Sequence, residues 1–94
     1  MQTMELIGHH YRRNVIVILG NGRAVFERGM KLKTNRKVYD AADIHYYKSN
    51  VKTIEKDEIV EGESIWQNFY GKYIRCIYKG DILDIEPDCF DYIS

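Results

Sequence analysis

This chain has few residues that break secondary structure and few that could form disulfide bonds. Proline occurs once and cysteine twice among 94 residues, and no Gly/Ser-rich or single-residue tract is present. The longest apolar run, Val15–Leu19, has five residues, whereas a membrane-spanning helix needs roughly 20. The sequence therefore predicts a folded domain with no membrane segment and argues against a disordered chain.

Two further absences indicate the compartment. The first residues lack the order of basic, apolar and small residues that marks a signal peptide. Cys76 and Cys89 are the only cysteines, whereas small secreted domains are commonly braced by several disulfides. We therefore expect a cytoplasmic protein with free thiols.

What the chain does contain is the residue usage of β-sheets. Ile and Val together number eighteen, Ala and Leu only seven, and eight tyrosines are present. β-Branched and aromatic side chains favour pleated strands, whereas Ala and Leu favour helices. Because 94 residues suffice for one core, we expect a single, mainly β domain.

The clearest local signal is a hairpin near the N-terminus. After a first strand predicted at residues 4–11, an apolar strand at 14–19 runs into Gly20-Asn21-Gly22, and residues 23–27 then return. Asn-Gly favours the tight turns of antiparallel hairpins. The unbroken apolar character of residues 14–19 predicts cover on both faces or a central place in a sheet.

The middle of the chain mixes strand and helix signals. Residues 29–37 alternate apolar or small side chains with lysines, which predicts an edge strand or extended loop with its lysines in solvent. Asp40 is placed to cap a short helix through about Lys48. Short strands are predicted at residues 51–55 and 58–61, with Gly62 as the end of this unit.

The C-terminal third has the strongest period-two pattern. Residues 73–79 alternate between two faces, and Lys79-Gly80-Asp81 turns the chain into a strand at 82–85. Residues 64–70 are compatible with a helical turn or a strand, and we favour the strand. The tail at 88–93 is predicted to form one helical turn against the core.

The number and spacing of these segments indicate the fold. About six or seven short strands with frequent turns are typical of small barrels and rolled sheets. The last strands and the Lys-Gly-Asp turn between them resemble the closing part of SH3-like barrels, over less than a quarter of the chain. We predict a mainly β, β-rich α+β fold: a small antiparallel rolled sheet or SH3-like partly open barrel with one short helix.

Three patterns that carry chemistry in other proteins are better explained by structure here. The run GNGRAV lacks the third glycine and the following helix of a dinucleotide site, so a hairpin turn is favoured. Carboxylates strung along strands favour solubility over acid–base catalysis or cation binding. The soft metal ligands, which form no close pairs, are His9, His10, His45, Cys76 and Cys89. We therefore predict no cofactor, no metal and no catalytic set.

The most informative feature for function is the charge asymmetry between the two halves. Residues 1–39 carry eight Lys and Arg against two acidic residues, and residues 40–94 carry six against twelve. Separated fields of opposite sign attract polyanions to one region and cationic surfaces to the other. This interpretation requires that the two sets lie apart in the folded protein.

The basic half leads to the first hypothesis, a non-enzymatic module that binds nucleic acid or a nucleotide-like anion. Several cations on one surface neutralise phosphates, and aromatic rings among them stack on bases. The competing explanation is a solvated face that the acidic half neutralises. The candidate contacts are Arg12, Arg13, Arg23, Arg28, Lys31, Lys33, Arg36 and Lys37, with Tyr11 and Tyr39 for stacking.

The acidic half leads to the alternative, a regulator or inhibitor of the kind that phages and mobile elements encode, binding a basic site on a host protein. Carboxylates spaced along a strand can imitate phosphates. The candidate residues are Asp81, Asp84, Glu86, Asp88 and Asp91. A third option is self-association into a homo-oligomer through the opposite fields.

The other large aromatic residues are expected mostly in the core. A domain of this size needs its large side chains inside, which applies to most of the set Tyr46, Tyr47, Trp66, Phe69, Tyr70 and Tyr73. One or two exposed tyrosines would suffice to anchor a protein interface.

Overall fold

The computed structural model describes residues 15–93, so the strand predicted at residues 4–11 lies outside the described residues. Nine strands and one α-helix form within residues 15–93. They are β1 (Val15–Leu19), β2 (Gly22–Phe26), β3 (Lys31–Thr34), β4 (Val38–Tyr39), α1 (Ala41–His45), β5 (Thr53–Ile54), β6 (Ile59–Asn68), β7 (Gly71–Tyr78), β8 (Asp81–Ile85) and β9 (Phe90–Tyr92). The predicted class, mainly β with antiparallel sheets and one short helix, is confirmed.

The strands pair antiparallel in three sheets. The central sheet has the order β8-β7-β6-β3-β9, while β1–β2 and β4–β5 form two-stranded sheets. A bulge between Gly62 and Ser64 shifts the register of the long β6–β7 hairpin. Gly62 therefore lies inside strand β6, and the prediction that it ends this unit is wrong. A Cβ at this position would lie 3.0 Å from the ring of Phe26, so the glycine makes room for core packing.

One apolar core joins all three sheets. Alternate residues of β7 and β8 face it, and Ile74 and Leu83 are among those with almost no exposed surface. Full burial of such a side chain contributes about 1.5–3 kcal/mol. The buried set is Val17, Leu19, Phe26, Leu32, Val38, Ile54, Val60, Ile65, Ile74, Cys76, Leu83, Ile85 and Phe90.

The hairpin across Gly20-Asn21 is confirmed, with β2 antiparallel to β1. Only one face of β1 is covered, because Val17 and Leu19 are buried while Ile16 and Ile18 are 48% and 58% exposed. The prediction of cover on both faces or a central place is therefore wrong. The apolar run does not reflect cover on both faces, because β1 belongs to a two-stranded sheet with a single core-facing side.

β3 lies inside the central sheet, between β6 and β9, so the predicted edge position is wrong. Lys31 and Lys33 are exposed as predicted, whereas Thr34 is fully buried. The Thr34 hydroxyl donates to Glu55 O at 2.6 Å and accepts from the Glu58 N–H at 2.9 Å. Because a buried hydroxyl needs such partners, Thr34 ties β3 to the loop ahead of β6.

The side chains of Asn21 and Asp40 form hydrogen bonds with the backbones of the two edge strands of the central sheet. At β9, the Asn21 amide donates to Tyr92 O at 3.2 Å and accepts from the Tyr92 N–H at 2.9 Å, as a neighbouring strand would. At β8, the Asp84 N–H donates to Oδ1 of Asp40 at 2.9 Å. Unpaired strand edges invite pairing with other chains, so these contacts protect the sheet and place α1 beside β8.

Helix α1 is shorter than predicted and ends at His45. Asp40 precedes it without capping it, since the carboxylate is engaged by Lys52 and by the backbone of β8. Tyr47 has a φ of 57°, which is incompatible with a continuing helix. No helix among the described residues is long and apolar enough to cross a membrane.

The remaining local predictions are confirmed in part. Residues 64–68 continue β6 as a strand, whereas Phe69 and Tyr70 form the turn into β7, and β7 and β8 flank the Lys79-Gly80 turn. The strand predicted at 51–55 is reduced to β5. The predicted helical tail is a 3₁₀ turn, Pro87–Cys89, followed by β9, because the last residues find a strand partner in β3.

Candidate binding surface

The basic and acidic sets of the sequence are intermingled in the part of the fold that the structure describes. Arg28 pairs with Glu63, and Nζ of Lys37 lies 3.6 Å from Oε2 of Glu55. Each pair joins an early cation to a later carboxylate. Exposed pairs contribute only about 0–1 kcal/mol, so their main effect is on the distribution of charge.

β3 carries two further candidate cations into the acidic half. Lys31 lies opposite Glu61 on β6, and Lys33 lies opposite Asp91 on β9. Carboxylates so placed screen the field of the lysines. Arg23 and Arg36 are exposed on other segments, and Tyr11, Arg12 and Arg13 lie outside the described residues.

The five acidic candidates have different environments. Asp84 makes a two-point contact with Arg75, with 2.9 Å between Oδ1 and Nε and 3.1 Å between Oδ2 and Nη2. Asp91 accepts a hydrogen bond from the Asn35 amide at 3.1 Å. Those with exposed side chains are Asp81, Glu86 and Asp88. The acidic set is thus divided between structural contacts and solvent.

A buried ionic cluster holds α1 against its neighbours. Asp40 and Asp43 are 2% and 3% exposed, and Nζ of Lys52 lies 3.2 Å from Oδ2 of Asp40 and 3.1 Å from Oδ2 of Asp43. The hydrogen bond from the Lys52 N–H, aided by its ammonium, lowers the pKa of Asp43. Hydrogen bonds to Asp43 and Asp40 raise the pKa of Lys52. Both shifts favour the charged forms of Asp43 and Lys52, which suits a structural ion pair better than an acid–base pair.

The cysteines are poorly placed for metal or nucleophilic chemistry. Glu86, Asp88 and Cys89 are the one group of potential metal ligands that meets within residues 15–93. Both carboxylates are exposed, and burial raises the pKa of the Cys89 thiol. Burial also raises the pKa of Cys76 to about 12. Because the thiolate is the reactive form, neither cysteine is activated.

Four exposed rings form what we call the aromatic surface: His45, Tyr46, Phe69 and Tyr70. Tyr46 and Tyr70 are 71% and 72% exposed, and Phe69 is 97% exposed. Ring centroids are separated by 5.0 Å from Tyr46 to His45, 5.5 Å from His45 to Tyr70, and 5.8 Å from Tyr70 to Phe69. The rings therefore form a continuous series, and exposed apolar clusters of this kind mark interaction sites.

The β6–β7 hairpin places two of these rings in solvent. Phe69 and Tyr70 are its two loop residues, between paired Asn68 and Gly71. Oδ1 of Asn68 accepts from the N–H groups of Tyr70 at 2.8 Å and Gly71 at 3.1 Å. Asn68 and Gly71 thus supply the turn chemistry, and the fold gives no reason for aromatic residues at the tip.

A cleft of about 450 Å³ opens beside the aromatic surface. Its walls come from β4, α1, the β6–β7 tip and the end of β8. Its lining includes Tyr39, His45, Tyr70, Tyr73, Asp84 and Glu86. A second depression of about 340 Å³ shares His45, Tyr70, Tyr73 and Asp84 and adds Trp66 and Arg75. Concave, largely apolar surfaces of this volume are typical of binding sites.

Sequence reasoning missed this surface because it expected the aromatic residues in the core. That expectation is wrong for Phe69 and Tyr70, while Trp66 and Tyr73 are half-buried, Tyr73 at the cleft and Trp66 at the second depression. The available signal was the position of Phe69-Tyr70 between an asparagine and a glycine, which is typical of a hairpin tip. The expectation of burial is also wrong for Tyr46 and Tyr47, which are 71% and 94% exposed.

Comparisons of the chain with protein-family models, with curated proteins and with solved structures found no match. Function therefore has to be inferred from the chemistry of the surface itself.

Proposed function

We propose that this protein is a small non-enzymatic module that binds a protein partner through the aromatic surface and the adjacent cleft. The observation that supports this most is the unbroken series of exposed rings from Tyr46 to Phe69. Aromatic side chains dominate the binding energy of protein interfaces because they bury large areas with few rotatable bonds. A partner that covered Phe69 would gain the hydrophobic free energy that the free protein leaves in water.

The charges around the cleft favour a protein over a polynucleotide. Arg75 and Asp84 neutralise each other, and Lys37 pairs with Glu55 outside the cleft. Glu86 adds an exposed carboxylate at the rim. Grooves for single-stranded nucleic acid carry a surplus of cations, whereas protein interfaces combine an apolar centre with a rim of mixed charge. Glu86 is also one of the acidic residues on which the regulator hypothesis depends, so this hypothesis agrees with a binding site at the cleft.

Affinity capture with matched variants tests the proposal. Phe69→Ser and Tyr70→Ser change exposed loop residues, so we expect both variants to fold normally. Each should recover at least about tenfold less of the partner, as expected for a hot-spot residue. Ile82→Ser is the control, since Ile82 is 56% exposed on β8 and does not line the cleft.

Quantitative mass spectrometry of the captured proteins decides the outcome. A partner recovered by the wild type and by Ile82→Ser, but lost with both loop variants, supports the proposal. Equal recovery by all four proteins would exclude the aromatic surface as the binding site.

Nucleic-acid binding is the second candidate, favoured by two exposed cations on one face of β3, Lys31 and Lys33. Fluorescence anisotropy with single-stranded DNA and RNA tests it. Affinity should fall steeply with added salt and drop when Lys31, Lys33, Arg36 and Lys37 are neutralised together. Binding that is indifferent to both changes would remove this candidate.

A further inference from the structure

The cleft has the composition of a site for a cation. The rings of Tyr39, Tyr70 and Tyr73 line it together with the carboxylate of Glu86. The faces of aromatic rings carry partial negative charge and attract ammonium and guanidinium groups. Negative ring faces and a rim carboxylate therefore act in the same direction on a charged ligand.

The cations that line the cleft and the second depression within residues 15–93 are Lys37 and Arg75, and each has an acidic partner. Lys37 lines the cleft, but its ammonium lies 3.6 Å from Glu55, which does not line it. Arg75 belongs to the second depression, where Asp84 neutralises it through two hydrogen bonds. Among the charged residues that line the cleft within residues 15–93, Lys37 and Asp84 have partners of opposite charge, and Glu86 adds an exposed carboxylate.

The rings of this region already bind cations within the protein. Nζ of Lys37 lies 5.7 Å from the centroid of Tyr39, and the guanidinium carbon of Arg75 lies 4.9 Å from that of Trp66. Both distances are within the range of cation–π contacts. The rings of Tyr70 and Tyr73 also line the cleft.

We propose that the cleft receives a lysine or arginine side chain of the partner protein, held by the rings of Tyr70 and Tyr73 and by the carboxylate of Glu86. This inference rests on the proposed function and adds the chemistry of the partner, a basic segment. The alkyl part of such a side chain would pack on the apolar lining, while its charged end would reach the carboxylate. The neighbouring aromatic surface would cover the rest of the segment.

Nuclear magnetic resonance titration of the full chain tests the inference with defined probes. Nα-acetyl-lysine methylamide is the cationic probe, and Nα-acetyl-norleucine methylamide is a neutral probe of similar shape. The lysine probe should shift the amide signals of Tyr39, Tyr73 and Glu86 and bind at least about threefold more tightly than the norleucine probe. Equal affinities, or shifts spread over exposed acidic residues elsewhere, would overturn the inference.

Two variants and a control separate specific recognition from general attraction. Glu86→Gln and Tyr70→Leu should each weaken binding of the lysine probe about threefold and leave binding of the norleucine probe nearly unchanged. Asp81→Asn removes an equally exposed carboxylate of β8 that does not line the cleft, and should change neither. If Asp81→Asn weakens binding as much as Glu86→Gln does, the cleft has no special affinity for cations.

The two proposals can fail separately. If Phe69→Ser loses the captured partner while the lysine probe does not bind the cleft, the protein-binding function stands and the basic side chain is wrong. If the lysine probe binds while all loop variants retain the partner, the cleft recognises cations and the partner uses another surface.

Discussion

Gly20→Ala tests how the N-terminal hairpin is joined to the central sheet. A Cβ at this position would lie 2.3 Å from Nδ2 of Asn35, 2.7 Å from Oδ1 of Asp91 and 3.0 Å from Asp88 O. Gly20 has no positive φ, so alanine is compatible with its backbone and the variant isolates the steric effect. The side chains of Asn35 and Asp91 must both move, and Asn35 has the closer contact.

The magnitude follows from what Asn35 holds. Its amide donates to Asp88 O at 2.9 Å and to Oδ1 of Asp91 at 3.1 Å, and losing the two hydrogen bonds costs about 1 kcal/mol each. Steric crowding around the new methyl group costs about a further 1 kcal/mol. The unfolded chain of an alanine variant has less conformational entropy to lose on folding, which offsets about 0.4–1 kcal/mol of this cost. We expect a net loss of about 2 kcal/mol in the free energy of unfolding, or about 8–16 °C in Tm.

Urea denaturation followed by circular dichroism measures this loss. In an Asn35→Ala background, Gly20→Ala should cost clearly less than in the wild-type background, because one of the two side chains that block the new methyl is gone and its hydrogen bonds are already lost. Gly80→Ala is the control: nothing lies within 4 Å of its Cβ, but its φ is +84°, so its cost of about 1 kcal/mol should not depend on Asn35. A Gly20→Ala variant within about 0.5 kcal/mol of the wild type, or full additivity with Asn35→Ala, would refute the steric argument.

Three further predictions concern buried polar groups. The ionised form of Asp43 stabilises the fold above its unfolded pKa, and this is lost as the pH falls through the lower folded pKa; acid titration of stability should therefore be flatter for Asp43→Asn, and identical curves would contradict this. Ellman's reagent at pH 8 should label Cys89 in the native protein and Cys76 only in urea, since burial raises the pKa of Cys76 to about 12; two thiols that react equally fast in the native state would contradict it. Thr34→Val should lower the free energy of unfolding by about 1–3 kcal/mol, because it leaves the partly buried Glu58 N–H without its acceptor; Thr34→Ser, which keeps the hydroxyl, should cost clearly less, and equal losses in urea melts would argue against the hydrogen bonds.

Local signals explain why much of the fold was predictable. The turns at Gly20-Asn21 and Lys79-Gly80 are flanked by apolar strands, and such hairpins depend on residues only a few positions apart. The position of β3 could not be inferred in the same way, since its alternating pattern suits an edge or an interior strand equally. Pairing with β9, far along the chain, decides between them.

The candidate surface was less predictable than the fold. Charge counts along the chain suggested two separate fields, but the pairing of β3 with β6 and β9 brings cations and carboxylates side by side. Aromatic residues were expected inside because burial is their commonest environment. Whether Phe69 lies in a strand interior or at a hairpin tip depends on the register of the β6–β7 pair, which a single sequence does not reveal.

By itself, the sequence determined the β-rich class, the hairpins with glycine turns and the outward lysines of β3, because these follow from residue preferences and short-range periodicity. Only the tertiary structure decided the strand order, the mixing of the two charge sets and the exposure of the ring series from Tyr46 to Phe69. These features arise from contacts between residues distant in the chain, where packing and hydrogen bonding select one arrangement among several that local patterns allow.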